Sequence, residues 1–431
     1  MNVAVVGLWH LGTVTAACVA SAGHDVVGFD PDAALIEQLG DARLPVAEPG
    51  LAELTKAGLD SGRLKFSADP AAIRNCEIVW ITFDTPVDDE DHADVDFVIE
   101  QVSSLFTHLK AGSIVLVSSQ LPVGSIGRLE QMYRAACPQG TATFASSPEN
   151  LRLGKAIDVF LKADRFVVGT RTPADRQRLD ELLRTFTSRI EWMSVESAEM
   201  TKHAINAFLA VSVTFINELA VLCEQVGASA REVELGLKSD QRIGPKAYVK
   251  PGGAFAGGTL ARDITYLVER CGEHRLAAPL LSAVHPSNRQ HKDWARRRLS
   301  TLLGGLRGKT VAVLGLTYKP GTDTLRRSSA VELCEWLSTQ GAQVRAFDPA
   351  VKSLPRELST KITLCARWNE AVQRADAVVV ATEWPEFRDL QAADLVREAG
   401  RIPLVLDASG FLDKTLGSAG ELRYLTVGRA A

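Results

Sequence analysis

A short β-branched strand, a glycine loop, a helix and a second strand closing on an acid fill residues 2–30, and the same order begins again at residue 309. This repeated opening constrains the fold more than any other feature of the chain. Asn2-Val3-Ala4-Val5-Val6-Gly7 has the continuous apolar character of a strand buried on both faces. A helix-like stretch from about Thr13 to Ala22 follows, then Asp25-Val26-Val27-Gly28-Phe29-Asp30. Further apolar strands are read at 78–81, 114–117 and 166–169, separated by helical stretches. Strands and helices that alternate in this way imply a parallel sheet with right-handed crossovers.

The middle of the chain differs. From Ser197 to about Val226 no proline or glycine interrupts a helix-compatible pattern. Such a helix would be roughly 45 Å long at 1.5 Å per residue, enough to join two domains and carry a dimer contact. After it the α/β pattern restarts with a strand at 309–315, a helix from Ser328 to Gln340, and strands at 343–348, 375–382 and 404–407. The expected fold is therefore α/β, with two Rossmann-like doubly wound domains joined by a long central helix and a helical middle domain. The expected boundaries are 1–195 for a dinucleotide-binding domain, 196–300 for a central dimerisation domain, and 301–431 for a second Rossmann-like domain.

Composition narrows the function classes. A formal net charge of -4 favours neither a nucleic-acid partner nor an anionic membrane surface. Cysteines 18, 76, 137, 223, 271, 334 and 365 are scattered without a C-x-x-C, and read as buried thiols of a reducing compartment. No signal-peptide pattern is read at the N-terminus and no apolar run is judged long enough to span a bilayer. A soluble, cytoplasmic protein is expected. The basic group Arg289, Lys292, Arg296, Arg297 and Arg298 reads as a solvated helix end, with phosphate binding as the alternative. His285 and His291 read as surface residues, and no metal site is expected.

Gly7-Leu8-Trp9-His10-Leu11-Gly12 has the first and third glycines of a dinucleotide loop, with Trp9 at the second. The first allows the tight turn and the third close packing of helix on strand, while the helix N-terminus faces the phosphates. Asp30 closes the second strand, where an acid accepts from the ribose hydroxyls and repels a 2′-phosphate, so NAD is expected over NADP. On the central segment, Lys202 and Asn206 are four apart and share a helix face. A lysine and an amide presented together can manage a proton on a substrate hydroxyl while hydride leaves its carbon.

Motifs along nearly the whole chain resemble the UDP-glucose/GDP-mannose dehydrogenases. They include Glu48-Pro49-Gly50-Leu51, Thr85-Pro86, Leu121-Pro122-Val123-Gly124 and Ser147-Pro148-Glu149-Asn150-Leu151-Arg152. They continue with Ala198 through Phe208, Phe255-Ala256-Gly257-Gly258-Thr259-Leu260-Ala261-Arg262-Asp263, Tyr318 through Asp323, Arg326 through Ala330, and Thr382 through Phe387. The resemblance implies cofactor contacts from Gly7, Trp9, His10, Leu11, Gly12, Asp30, Thr85, Gln120 and Arg326. It implies that Lys202 and Asn206 polarise the reacting oxygen, with Asp263 and Glu149 assisting through ordered water. Arg242, Lys319 and the Phe255–Gly257 loop would hold the nucleotide-sugar.

The departures from that family fall on its chemistry. Thr259 stands where it keeps a nucleophilic cysteine, and a threonine hydroxyl needs a dedicated base where a thiolate does not. Leu153 stands for a second glutamate and Gln120 for a threonine; Ser118, Arg262, Arg327 and Trp9 depart as well. Three readings remain. One is a two-electron, cysteine-independent interconversion of alcohol and carbonyl on a nucleotide-sugar or related small molecule. The second is uronate formation by a cysteine-independent route, and the third a binding homologue without turnover. A homodimer through the central helix is expected in each.

Overall fold

The computed structural model describes the 431-residue chain except residues 87, 89–92, 150 and 430–431. Its contacts divide it into two compact units, Met1–Ile205 and Asn206–Ala431. In the first, β1 (Asn2–Val6), β2 (Asp25–Phe29), β3 (Leu64–Ser67), β4 (Ile78–Ile81), β5 (Ile114–Val117), β6 (Thr143–Ser146), β7 (Phe166–Gly169) and β8 (Ile190–Met193) form one sheet. Its order is β3-β2-β1-β4-β5-β6-β7-β8. The first six strands thus take the order of dinucleotide-binding sheets.

Strand period explains why both faces of this sheet are covered. Val3, Val5, Ile78, Trp80, Ile114 and Leu116 enter one core with the small buried residues of helix α1 (His10–Ser21). Their neighbours Ala4, Val6, Val79, Ile81, Val115 and Val117 enter another core on the opposite side. The expectation of a purely parallel sheet needs one correction. β7 meets β6 antiparallel at Ser146 and Gly169, and then pairs with β8 in parallel.

The second unit carries β9 (Thr310–Leu314), β10 (Gln343–Phe347), β11 (Ile362–Leu364), β12 (Ala377–Val380), β13 (Leu404–Asp407) and β14 (Arg423–Leu425). Their order is β11-β10-β9-β12-β13-β14, so the topology of the first six strands recurs. Helix α2 (Ser125–Ala136) belongs to the first unit, and α3 (Val195–Val226) carries the chain into the second. There α4 (Thr259–Glu273), α5 (Pro279–Lys292), α6 (Trp294–Leu303) and α7 (Ser329–Thr339) follow.

Helix α3 corrects a reading of the sequence, because by length and composition it would suffice to cross a membrane. The sequence reading missed this because polar residues interrupt the run. Glu199, His203, Asn206 and Asn217 are all buried on it and bond to protein groups.

Candidate active site

The glycine loop of the first unit is sterically determined. Gly7 sits at φ 90°, and a Cβ there would lie 2.6 Å from the Phe83 ring. A Cβ on Gly12 would lie 1.8 Å from the carbonyl oxygen of Gly7. Both positions therefore exclude any side chain, as close packing of helix on strand requires. Trp9 differs: its φ of -78° is ordinary, it caps α1, and its side chain is half exposed. The turn does not need glycine there, and α1 begins at His10, three residues earlier than the sequence suggests.

The Asp30 carboxylate accepts from Leu8 N at 2.8 Å and Asp32 N at 3.0 Å, tying the loop to the end of β2. It remains partly exposed. Its counterpart in the second unit, Asp348, is buried and accepts from Leu316 N, Thr317 N, Thr317 Oγ1 and Trp384 Nε1. Protein donors thus saturate the second acid, whereas the first keeps capacity for a ribose. The glycine cradle, the α1 N-terminus and the accessible acid all fit a dinucleotide.

His10 Nε2 lies 2.9 Å from Glu48 Oε2, and the same carboxylate accepts from Gly154 N and Ala156 N, each at 2.8 Å. Burial alone would raise the Glu48 carboxyl, but the two amides and the imidazole hold it below the ordinary glutamate value. The E-P-G-L glutamate thus joins α1 to the loop that follows Glu149. Thr85 Oγ1 donates to Gln120 O at 2.8 Å, which brings two of the expected cofactor residues together. Asn150 lies outside the described residues.

Lys202 is 12% exposed; its Nζ donates to Glu149 O at 2.7 Å and lies 4.0 Å from Glu149 Oε1. The Glu149 carboxylate also accepts from Leu151 N. Two neighbours on α3 fix this part of the helix. Glu199 accepts from Gly124 N and Ile126 N at the start of α2, and His203 Nε2 donates to Leu121 O at 3.0 Å. Leu153 is half exposed in the loop beyond Glu149.

In the second unit, Asn206 Nδ2 donates to Oδ2 of Asp263, a fully buried carboxylate. Arg262 Nε is 3.9 Å from Asp263 Oδ1. Thr259 opens α4 with an exposed side chain whose hydroxyl has no hydrogen-bonded base among the described residues. Gly258, at φ 98° and ψ -141°, caps the helix in a conformation that glycine alone adopts readily.

Three polar side chains hold the preceding loop by its backbone. Asn217 bonds Gly252 N and Gly253 O, Asn288 bonds both N and O of Phe255, and His291 Nε2 donates to Gly252 O at 2.7 Å. His291 is therefore buried, not a surface residue, and His285 is half-buried against Thr265. Burial keeps His291 below the ordinary imidazole value, with Arg297 acting the same way and Gly252 O and Glu224 opposing. The unfolded chain gains a proton at His291 before the folded one does. The resulting stability is complete above the unfolded value, near 6.5, and is lost as pH falls from there through the folded value. The melting temperature should drop across that window in the native protein, and less steeply in His291→Gln. Equal slopes would show that His291 makes no contribution.

This loop borders a cavity of about 390 Å³ at the C-terminal ends of β9, β12 and β13, a size suited to a small ligand. Lys292, Arg296 and Lys319 supply cations to it, and Glu332 a carboxylate. The solvated-end reading thus fails for Lys292 and Arg296, and for Arg298, which pairs with buried Glu224. Of the expected substrate residues, Lys319 lines the cavity. Phe255 packs against the apolar group around Ala207, Ala210, Ile264 and Val284, and Gly257 lies outside the lining. Arg242 is not brought there either: its side chain is 89% exposed and paired with Asp240. Arg326 is exposed, two residues before the cap of α7.

Comparison with known proteins places these features. Models of the UDP-glucose/GDP-mannose dehydrogenase family match as NAD binding domain at residues 1–187, central domain at 196–290 and UDP binding domain at 312–414. The chain belongs to this family. A UDP-glucose 6-dehydrogenase of Rhizobium meliloti (strain 1021) is 34% identical over 437 residues, covering 100% of both chains. Another from Rickettsia typhi is 34% identical over 443 residues, covering 99% of each. Among solved structures, a UDP-glucose dehydrogenase of Pyrobaculum islandicum superposes with a TM-score of 0.84 at 28% identity, covering 100% of this chain and 98% of that one.

As a member of the UDP-glucose/GDP-mannose dehydrogenase family, the chain is an NAD-dependent nucleotide-sugar dehydrogenase. The residues that reading the sequence missed are the supports: Glu48, Glu199, Asn217, Asn288 and His291. The E-P-G-L and A-E-x-x-K motifs contain the two glutamates, and their reach to amides far along the chain could not be read from spacing.

Proposed function

We propose that this chain catalyses a two-electron interconversion of an alcohol and an aldehyde or ketone on a nucleotide-sugar, without a cysteine. The observation that carries the reading is the contrast between two parts of the chemistry. Lys202, Asn206 and Asp263 are held by specific partners, whereas Thr259 is exposed and its hydroxyl has no bonded base among the described residues. NAD supplies the hydride acceptor when bound. Lys202 spends one N–H on Glu149 O and has two left to donate to a substrate oxygen. Asp263 fixes the amide of Asn206, leaving its carbonyl and second N–H for a ligand. Lys292, Arg296 and Lys319 suit the diphosphate of a nucleotide-sugar. The UDP-glucose 6-dehydrogenases among its relatives make a UDP-sugar the first substrate to try.

Those relatives also favour a second reading, uronate formation without the thiol. Thr259→Cys separates the two. With Gln120 and Leu153 also departing from the family pattern, restoring the thiol should yield no uronate by mass spectrometry. Robust uronate formation by this variant would mean that the second oxidation survives.

We also propose a homodimer through α3. Phe208, Phe215 and Leu222 are exposed and spaced by sevens, so they form one apolar stripe on the helix. Light scattering should give twice the chain mass at micromolar concentration; a monomer would contradict this.

A further inference from the structure

The first unit contains a second cavity of about 20 Å³, lined by Ser118, Ser119, Gln120, Glu149, Glu199 and Lys202 among others. A single water needs at least roughly 10–15 Å³ of such space and two to four polar partners. The Ser119 hydroxyl is buried and has no hydrogen-bond partner among the described residues. Buried polar groups in folded proteins are almost always satisfied, by protein or by ordered water. Among the described residues the hydroxyls of Thr15, Thr55 and Ser113 also lack partners, but none of them lines either cavity.

Two groups at the same cavity have capacity left for a water. Lys202 Nζ is engaged once by Glu149 O, and the two Glu199 oxygens each accept one amide. Glu199 precedes Lys202 by three residues on α3, so the two share a face.

We propose that this cavity binds one ordered water, held by Ser119, Lys202 and Glu199, and that this water forms the inner end of a proton path from Lys202. The path, unlike the water site, rests on the function proposed above. Before the oxidation, Lys202 passes one of its three protons to the water, and the water passes one to the Glu199 carboxylate, which leaves Nζ neutral with a lone pair. The substrate C–H leaves as hydride to NAD, and the O–H proton then goes to the Nζ lone pair. Proton number is conserved, and the reverse reaction retraces the steps. Burial raises the Glu199 carboxyl above the ordinary glutamate value, against the pull of the Gly124 and Ile126 amides, which suits it to hold the proton until product leaves. Ser119 is a positioning residue that acts through the water.

A crystal structure of the full chain at a resolution showing ordered waters tests the site directly. The expected result is a peak within about 3.2 Å of Ser119 Oγ and Lys202 Nζ, weakened or absent in Ser119→Ala. An empty cavity in the native protein overturns the proposal. The path is tested by the pH dependence of Lys202 acylation, which needs no substrate and should shift in Ser119→Ala. With substrate, Ser119→Ala should lower kcat about tenfold and shift its pH profile while KM stays the same, and Ser119→Thr should restore part of the loss. An unchanged acylation profile and unchanged kcat in Ser119→Ala would refute the path. Absence of turnover in the native protein would instead refute the proposed function, leaving the peak and the acylation profile to decide the water and its contact with Lys202.

Discussion

Lys202→Ala should reduce turnover by about 10²- to 10⁴-fold, the usual contribution of a positioned acid–base group, while the Kd for NAD changes little. The expectation follows from separate supports. Lys202 is almost buried and bonded to Glu149 O, on a stretch of helix fixed by Glu199 and His203. NAD is expected at the Gly7–Gly12 loop, whose shape is set by Gly7, Gly12 and Asp30. The loss should thus appear in kcat and kcat/KM together, the signature of a contact made in the transition state. Activity within tenfold of the native protein would remove Lys202 from the chemistry. A parallel loss of NAD affinity would mean that the substitution disturbs the first unit as a whole.

Gly12→Ala should be nearly as damaging for a different reason. The added methyl would fall 1.8 Å from the Gly7 carbonyl oxygen, with Thr82 Oγ1 2.8 Å away. No rotamer relieves a clash at Cβ, so α1 must move away from β1 and take the α1 N-terminus with it. Overpacking of this kind costs about 1–3 kcal/mol or more, or several degrees of melting temperature for a unit of this size. NAD affinity should fall at least about a hundredfold, because the helix N-terminus and tight turn that receive the pyrophosphate move together. Gly127→Ala is the control: Gly127 lies inside α2 with nothing within 4 Å of its would-be Cβ. It should bind NAD normally and melt at the same temperature or slightly higher. Normal NAD binding by Gly12→Ala would place the cofactor elsewhere.

The fold was legible where burial is complete. Ile78–Ile81 and Ala377–Val380 are buried at every position and read as continuous apolar runs. The edge strands β3, β8, β11 and β14 carry only partial burial, and at three or four residues each they are too short for a run or an alternation to mark a strand. The glycine loop and its acid were legible because their geometry is local. The clamps were not. Asn217, Asn288 and His291 reach backbone groups 33 to 39 residues away, and Glu48 reaches amides more than a hundred residues away. A polar residue on an apolar helix gives no sign of such a partner. Lys292, Arg296 and Arg298 were not legible for the same reason, since spacing does not say which cations of a basic stretch turn inward, whereas Arg289 and Arg297 are exposed as expected.

The central claim is that this chain performs one oxidation per sugar. The most direct measurement mixes the purified protein with NAD and a panel of UDP- and GDP-sugars, counts NADH formed per sugar consumed, and weighs the product. One NADH with an aldehyde or ketone is the predicted result. Two NADH with a uronate would contradict it, and would mean that the chain completes both oxidations with a threonine at position 259.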